Sequence, residues 1–137
     1  MLYMLDTDTC SYLIKKRPVS VLSAMDNATE QGHEIIISSI TYAELMLGAK
    51  RAQNTARLLA AIADVCECLH GVYAWDQAAA DQFADIQTGL LDQGTPIGVN
   101  DAMIAAHALS CGAVLITNNI RHFSKVAELQ FENWVDS

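Results

Sequence analysis

Four residues suited to act together stand far apart in the chain: Asp6, Glu44, Asp101 and Asn119. Leu2 to Leu5 form an apolar run that stops at Asp6, and Glu44 is the only acidic residue between positions 35 and 63. Asp101 precedes a nearly all-apolar stretch to Cys111, and Asn119 follows the apolar run that begins at Ala113. Each has a local explanation. Asp6 can begin a turn, Thr41-x-x-Glu44 reads as a capping box, Asp101 complements a helix N-terminus, and Asn119 suits a turn. Three acids at equivalent ends of apolar elements are harder to explain locally, because clustered carboxylates repel unless a cation neutralises them. Oxygen donors without Cys or His favour Mg²⁺, with Mn²⁺ as a substitute, and such ions bind through one or two carboxylates plus substrate phosphates. That is the chemistry of phosphodiester cleavage, in which the ion acidifies a water, sets it in line with phosphorus and stabilises the attacking and leaving oxygens. Asp6 and Asp101 are then the direct ligands. Glu44 orients water or a second metal, and Asn119 adds a neutral oxygen or a hydrogen bond.

Strands alternating with helices must bring these residues together. Leu2 to Leu5 read as a central strand covered on both faces, and ligands bind beyond the carboxyl ends of such strands. Thr7-Asp8-Thr9 starts a helix running to about Lys16, and Pro18 opens a second that ends near Gly32. His33 to Ser39, with its Ile35-Ile36-Ile37 run, is the second strand. A long helix from Thr41 through Gly48 continues, or restarts near Gln53, to reach Ala63. A third strand is expected over Glu67 to Tyr73. Asp76 caps a helix to about Gln93, with Asp81, Asp85 and Asp92 on its solvated face. The loop at Thr95 to Val99 leads to a helix over Ala102 to Cys111 and a fourth strand at Ala113 to Thr117. A short helix through Phe123 and a last strand near Leu129 to Phe131 follow. The expected architecture is α/β, one domain over 1–137: a three-layer α/β/α sandwich on a central parallel sheet of four to five strands.

The 137 residues are enough for one cored domain and too few for two ordinary ones. Nothing resembling a secretion leader or a membrane span interrupts the pattern, so a soluble cytoplasmic protein without a membrane partner is expected. The four cysteines, Cys10, Cys66, Cys68 and Cys111, lie in apolar segments at spacings that match no standard metal framework. They read as small reduced core residues, although Cys66, Cys68 and His70 would alternate along one face of a strand like ligands. Eight basic against sixteen acidic residues give a net charge of −8, which argues against a nucleic-acid partner on average. The arrangement qualifies the average. Residues 58 to 120 hold no Lys or Arg, and the basic groups, including Lys50, Arg51 and Arg121, each follow a candidate crest residue. An acidic body with basic residues at one end can hold RNA as well as carry solvated helix faces.

Asp6-Thr7-Asp8-Thr9 also approaches the Asp-x-Asp-x-Thr signature of haloacid-dehalogenase phosphatases, in which the first Asp is a nucleophile and the second an acid/base. Cys10 stands where the Thr is needed, and Asp101 precedes Thr117 although the metal acids of that family come last. A different resemblance covers essentially the entire chain. It is carried by Met4-Leu5-Asp6-Thr7, by Ser39-Ile40-Thr41-Tyr42-Ala43-Glu44-Leu45 with Gly48, by Gly98-Val99-Asn100-Asp101 before a small-residue helix, and by Leu115-Ile116-Thr117-Asn118-Asn119 with Phe123. In this order and spacing the motifs resemble the PIN-domain ribonucleases, and more narrowly the VapC toxins of bacterial toxin–antitoxin pairs. The resemblance implies a Mg²⁺-dependent endoribonuclease held inactive by a cognate VapB-like antitoxin, and a homodimer. Asp6, Glu44 and Asp101 match the acidic residues of the family. Thr7, Thr117, Lys50, Arg51 and Arg121 are the expected RNA contacts. The loop Gly94-Thr95-Pro96-Ile97-Gly98 is similar to that of members that cut initiator tRNA in its anticodon stem-loop. Asn119 stands at the family's fourth acidic position; an amide brings no negative charge there, which weakens the case for a second metal and keeps open a PIN module that only binds a partner.

Overall fold

The structure is a computed structural model that describes residues 1–135. Its centre is β1 (Leu2–Leu5), which pairs in parallel with β2 (Glu34–Ser38) on one side and β4 (Val114–Ile116) on the other. Outside these lie β3 (Gly71–Tyr73) and β5 (Phe131–Glu132), giving the five-strand order β3-β2-β1-β4-β5 with every pairing parallel. The chain moves outward from β1 to β2 to β3 and then crosses back to β4. The reversal therefore falls between β1 and β4, where side chains leaving the two carboxyl ends diverge and a crevice opens.

Alternation along the central strands divides the core in two. Leu5, Ile35, Ile37, Val114 and Ile116 face α1 (Thr7–Lys15), α2 (Val19–Glu30), α3 (Ser39–Arg51) and α4 (Thr55–Cys68). Met4, Ile36 and Leu115 face α5 (Gln77–Asp92), α6 (Val99–Cys111) and α7 (Ile120–Phe123). The three-layer arrangement expected from the sequence is present, with five strands. The all-apolar character of the central strands follows from burial on both faces: Met4, Leu5, Ile35, Ile36, Ile37, Leu115 and Ile116 have no exposed surface.

Several boundaries differ from expectation. Of the two courses expected after Gly48 the chain takes the restart: the segment from 39 to 68 is two helices, parted at Ala52, whose extended backbone (φ −85°, ψ 159°) ends α3. The second continues through Cys68, so the stretch 67–70 is not strand and β3 starts at Gly71. Cys66 and Cys68 sit two apart on a helix and cannot share a face with His70, whose Nδ1 accepts the Ile35 amide at 3.0 Å. The ligand-like alternation is thereby removed, and Cys68, expected in the core, is exposed. α6 begins at Val99, a turn's length earlier than expected, from Gly98 at φ +95°, a conformation that side chains resist. The last strand lies at Phe131–Glu132 rather than 129–131 because the chain turns through Glu128 (φ 67°) before pairing with β4. Among the described residues no helix is long and apolar enough to cross a membrane.

Candidate active site

Asp6 ends β1 and caps α1. Its amide donates to the Ile116 carbonyl of β4 at 3.0 Å, and its Oδ1 accepts the Thr9 amide at 2.8 Å. The residue is 4 % exposed. Burial pushes its carboxyl up to about 6, against the downward pull of hydrogen bonds from Thr117 and Thr9 and with a smaller upward push from Asp8. A carboxylate removed from water in this way lacks a basic partner: among the described residues no Lys or Arg pairs with a carboxylate, and the one acid–imidazole contact at that range is His122 with Asp101.

Thr7, the first residue of α1, donates its hydroxyl to Glu44 Oε1 at 2.7 Å and lies 3.4 Å from the Thr41 hydroxyl. Glu44 Oε2 accepts the Asn100 side-chain amide at 3.2 Å. Ser38, not Thr41, caps α3, its hydroxyl accepting the Ile40 amide at 3.1 Å. Glu44 is therefore a turn too far along α3 for a capping box, and that local explanation fails. Asp101 follows Asn100 in the first turn of α6. On the β4 side Thr117 is fully buried; its hydroxyl bonds to Asp6 and accepts the Asn119 amide at 2.9 Å. The Asn119 side chain stands 3.5 Å from Asp101 Oδ2.

Hydrogen bonds join Asp6 to Thr117, Thr117 to the Asn119 backbone amide, the Asn119 side chain to Asp101, Asn100 to Glu44 and Glu44 to Thr7, and the chain itself connects Asn100 to Asp101 and Thr7 to Asp6. The four residues singled out from the sequence thus meet in one ring at the crevice between β1 and β4. Of the expected RNA contacts, Thr7 and Thr117 are members of the ring, and Thr117 serves the turn rather than the surface. Lys50 and Arg51, in the last turn of α3, and Arg121, on α7, are exposed and lie outside it. Asp8 is exposed on the first turn of α1, apart from the ring.

Two members escaped the sequence reading. Asn100 was legible only as the neighbour of Asp101. His122, whose Nδ1 lies 2.9 Å from Asp101 Oδ2, falls three residues after Asn119, a helical spacing that becomes informative once α7 is known. Away from the edge, His107 of α6 meets Ser38 (Nδ1 to Oγ 2.8 Å) in full burial and ties α6 to the start of α3. Burial pulls that imidazole below its ordinary range, with Asp76 opposing.

The donor chemistry fits a hard divalent cation. Asp6, Glu44 and Asp101 offer carboxylate oxygens, and Asp6 is a buried charge in want of a counterion. Among the described residues no three His, Cys, Asp or Glu side chains converge closely enough to hold a metal ion by themselves, so a cation here would take only one or two carboxylates and complete its shell with water and substrate. Open coordination through one or two carboxylates is what Mg²⁺ or Mn²⁺ requires.

The PIN domain family matches residues 3–129. Ribonuclease VapC2 of Haemophilus influenzae is 41% identical over 133 residues, covering 97% of this chain and 98% of that one. The tRNA(fMet)-specific endonuclease VapC of Shigella flexneri is 40% identical over 132 residues, 96% and 97% of the two chains. The crystal structure of VapBC2 from Rickettsia felis, bound to a DNA fragment from its promoter, superimposes with a TM-score of 0.92 at 32% identity, covering 98% and 99%. The chain belongs to the PIN-domain family, among its VapC ribonucleases. Enzymes of this family depend in general on divalent metals. The membership sets aside the phosphatase reading, which needed Asp8 paired with Asp6 at a covalent site.

Proposed function

We propose that this chain is the toxin of a type II toxin–antitoxin pair, a Mg²⁺-dependent endoribonuclease that hydrolyses RNA phosphodiester bonds at the ring of Asp6, Glu44, Asp101 and Asn119. One observation carries the reading: the circuit of hydrogen bonds and adjacent residues that links these four residues at the switch point of the sheet. Asp6, Asp101 and Glu44 would hold Mg²⁺, with Mn²⁺ as a substitute. The bound ion supplies Lewis acidity toward the scissile phosphate and the attacking water. Thr7 and Asn100 fix both oxygens of Glu44, so its carboxylate can orient that water without rotating away. Hydrogen bonds from Thr9 and Thr117 hold the Asp6 carboxyl in place. Lys50, Arg51 and Arg121 neutralise flanking phosphates.

The substrate is initiator tRNA, cut in the anticodon stem-loop. Support comes from the Shigella flexneri relative of that specificity and from the Gly94-to-Gly98 loop. The partner is a VapB-like antitoxin, supported by the near-complete superposition on a chain of a VapBC complex. We take the working form to be a homodimer, and the whole chain 1–137 to be a single domain.

The test is induction in a bacterium followed by mapping of new RNA 5′ ends, with Asp101→Asn alongside. New ends confined to the initiator tRNA anticodon loop, lost in the variant, are expected. Cleavage by the purified chain that persists in excess EDTA would overturn the metal mechanism, and ends elsewhere would overturn the substrate.

A further inference from the structure

Lys15, Lys16 and Arg17 stand in a row where α1 ends, and the turn there sends them to different places. Lys16 adopts the left-handed conformation (φ 58°), its amide donates to the Leu13 carbonyl at 3.2 Å, and the Arg17 amide donates to the Tyr12 carbonyl at 3.1 Å. This is the Schellman arrangement, which folds the residue after the turn back against the last turns of the helix. Arg17 is thereby brought beside Tyr12. With Lys15 and Pro18 the two line an open notch of about 330 Å³, at the small end of the range for ligand sites. Lys16 instead lines a separate groove with Asp26, Glu30 and Asp64.

Tyr12 gives the notch an aromatic wall. It packs on the core around Leu5 and Leu13 yet is only half-buried, so part of the side chain faces the notch. Its hydroxyl accepts the Asn118 side-chain amide at 3.4 Å, and Asn118 Oδ1 accepts from Asn133 at 2.9 Å. Asn118 adjoins Asn119, so the notch opens off the crevice on its β4 side, whereas Lys50 and Arg51 extend from β2 on α3. Lys15 and Arg17 are exposed, and among the described residues neither pairs with a carboxylate. Lys15 complements the carboxyl end of α1; Arg17, beyond the helix, has no such role. An aromatic face flanked by two uncommitted cations fits a base joined to a phosphate, the base stacking on Tyr12 and the phosphate meeting Lys15 and Arg17. An acidic peptide would satisfy the cations and leave the aromatic face unused.

We infer that the notch formed by Tyr12, Lys15 and Arg17 is a subsite for one unpaired nucleotide of the RNA, flanking the scissile phosphate on the β4 side. The inference rests on the RNA-cleaving reading proposed above. It gives the enzyme a preference for cuts beside unpaired nucleotides, because a base must leave its stack to enter the notch.

The test is fluorescence anisotropy of a labelled single-stranded oligoribonucleotide titrated with the full chain in EDTA, over a series of salt concentrations. Lys15→Gln combined with Arg17→Gln should weaken binding and reduce the slope of log affinity against log salt by about 1.4. Lys16→Gln removes the same charge from the position between them and should leave the slope unchanged. Tyr12→Leu should weaken binding on the order of tenfold, while Tyr12→Phe, which keeps the aromatic face, should bind as the native chain does. A native slope in the paired variant would overturn the subsite, as would an equal effect per charge from Lys16→Gln, which would mean general attraction rather than contact. Tyr12→Phe as weak as Tyr12→Leu would overturn the stacking, the hydroxyl's hold on Asn118 being then what matters. Poly-glutamate bound by the native chain and lost in the paired variant, with RNA affinity unmoved, would assign the notch to an acidic peptide and overturn the proposal. In each of these cases RNA binding that still weakens on replacing Lys50 and Arg51 leaves the nuclease reading standing. No RNA binding by the native chain would overturn both.

Discussion

Replacing Asp6 with Asn should stabilise the protein while abolishing its activity. The Asp6 carboxyl stands at about 6 in the folded chain against an ordinary value of 3.8, chiefly through burial. That difference corresponds to about 3 kcal/mol. The folded-state value lies above the unfolded one, so between these pH values the native chain binds the extra proton and stability falls as pH rises. The penalty is absent below 3.8 and complete above about 6. Asn caps helices as well as Asp and its carbonyl still accepts the Thr9 amide, but its NH₂ would face the Thr117 hydroxyl, at a cost of about 1 kcal/mol. The net gain at pH 7.5 is about 2 kcal/mol, or about 6 °C in melting temperature for a chain of this size. Urea denaturation in EDTA at pH 7.5 and pH 4.5 should show Asp6→Asn the more stable at the higher pH, with the gap nearly closed at the lower. Mn²⁺ should narrow the gap at pH 7.5, because the cation favours the chain that retains the carboxylate. An Asn variant less stable than the native chain at pH 7.5, or a gap independent of pH, would refute the account of Asp6 as an uncompensated buried charge.

Two further outcomes follow from features beside the ring. Replacing Lys50 and Arg51 with Ala should reduce the slope of log affinity against log salt for RNA by about 1 to 2, measured by fluorescence anisotropy, with metal binding unaltered; an unchanged slope would show that these side chains are merely solvated. His107→Leu should cost about 1–3 kcal/mol by leaving the Ser38 hydroxyl without its buried partner, and a double-mutant cycle with Ser38→Ala should reveal coupling. Because burial depresses His107, its contribution is present above the ordinary imidazole range and fades as pH falls, so the loss on substitution should shrink in acid.

The sheet was legible because burial on both faces leaves a plain signature: the runs at Leu2 to Leu5, Ile35 to Ile37 and Val114 to Ile116 carry no polar residue. The same physics marked Asp6 and Asn119, since a charge or amide that follows such a run must lie at the sheet's edge. The end of α4 was less visible. No Gly or Pro interrupts 55–70, and Cys, Leu and Val suit a helix or a strand, so only packing decides that the helix persists to Cys68. Gly98 carries no signal in the sequence that α6 begins beside it, so the pattern places Asn100 at the end of a loop and not on the helical turn from which it holds Glu44. His122 was hidden for another reason. Its partner is 21 positions away on a different helix, and no spacing rule within one element can find such a pair.

The crossing from β1 to β4 bears on when this chain becomes dangerous to its host. The first strand is synthesised near the start, but the partner that fixes Asp6 in place, Ile116, arrives more than a hundred residues later. Asn119 and β5 come later still. A nascent chain therefore carries its first carboxylate long before it can assemble the crevice, and folding that depends on so distant a pairing is slow. A ribosome that stalls or is lost anywhere before β4 releases a fragment without the site. Topology thus confines the hazard to finished molecules, and leaves an interval after each round of translation in which a neutralising protein can reach the newly completed fold.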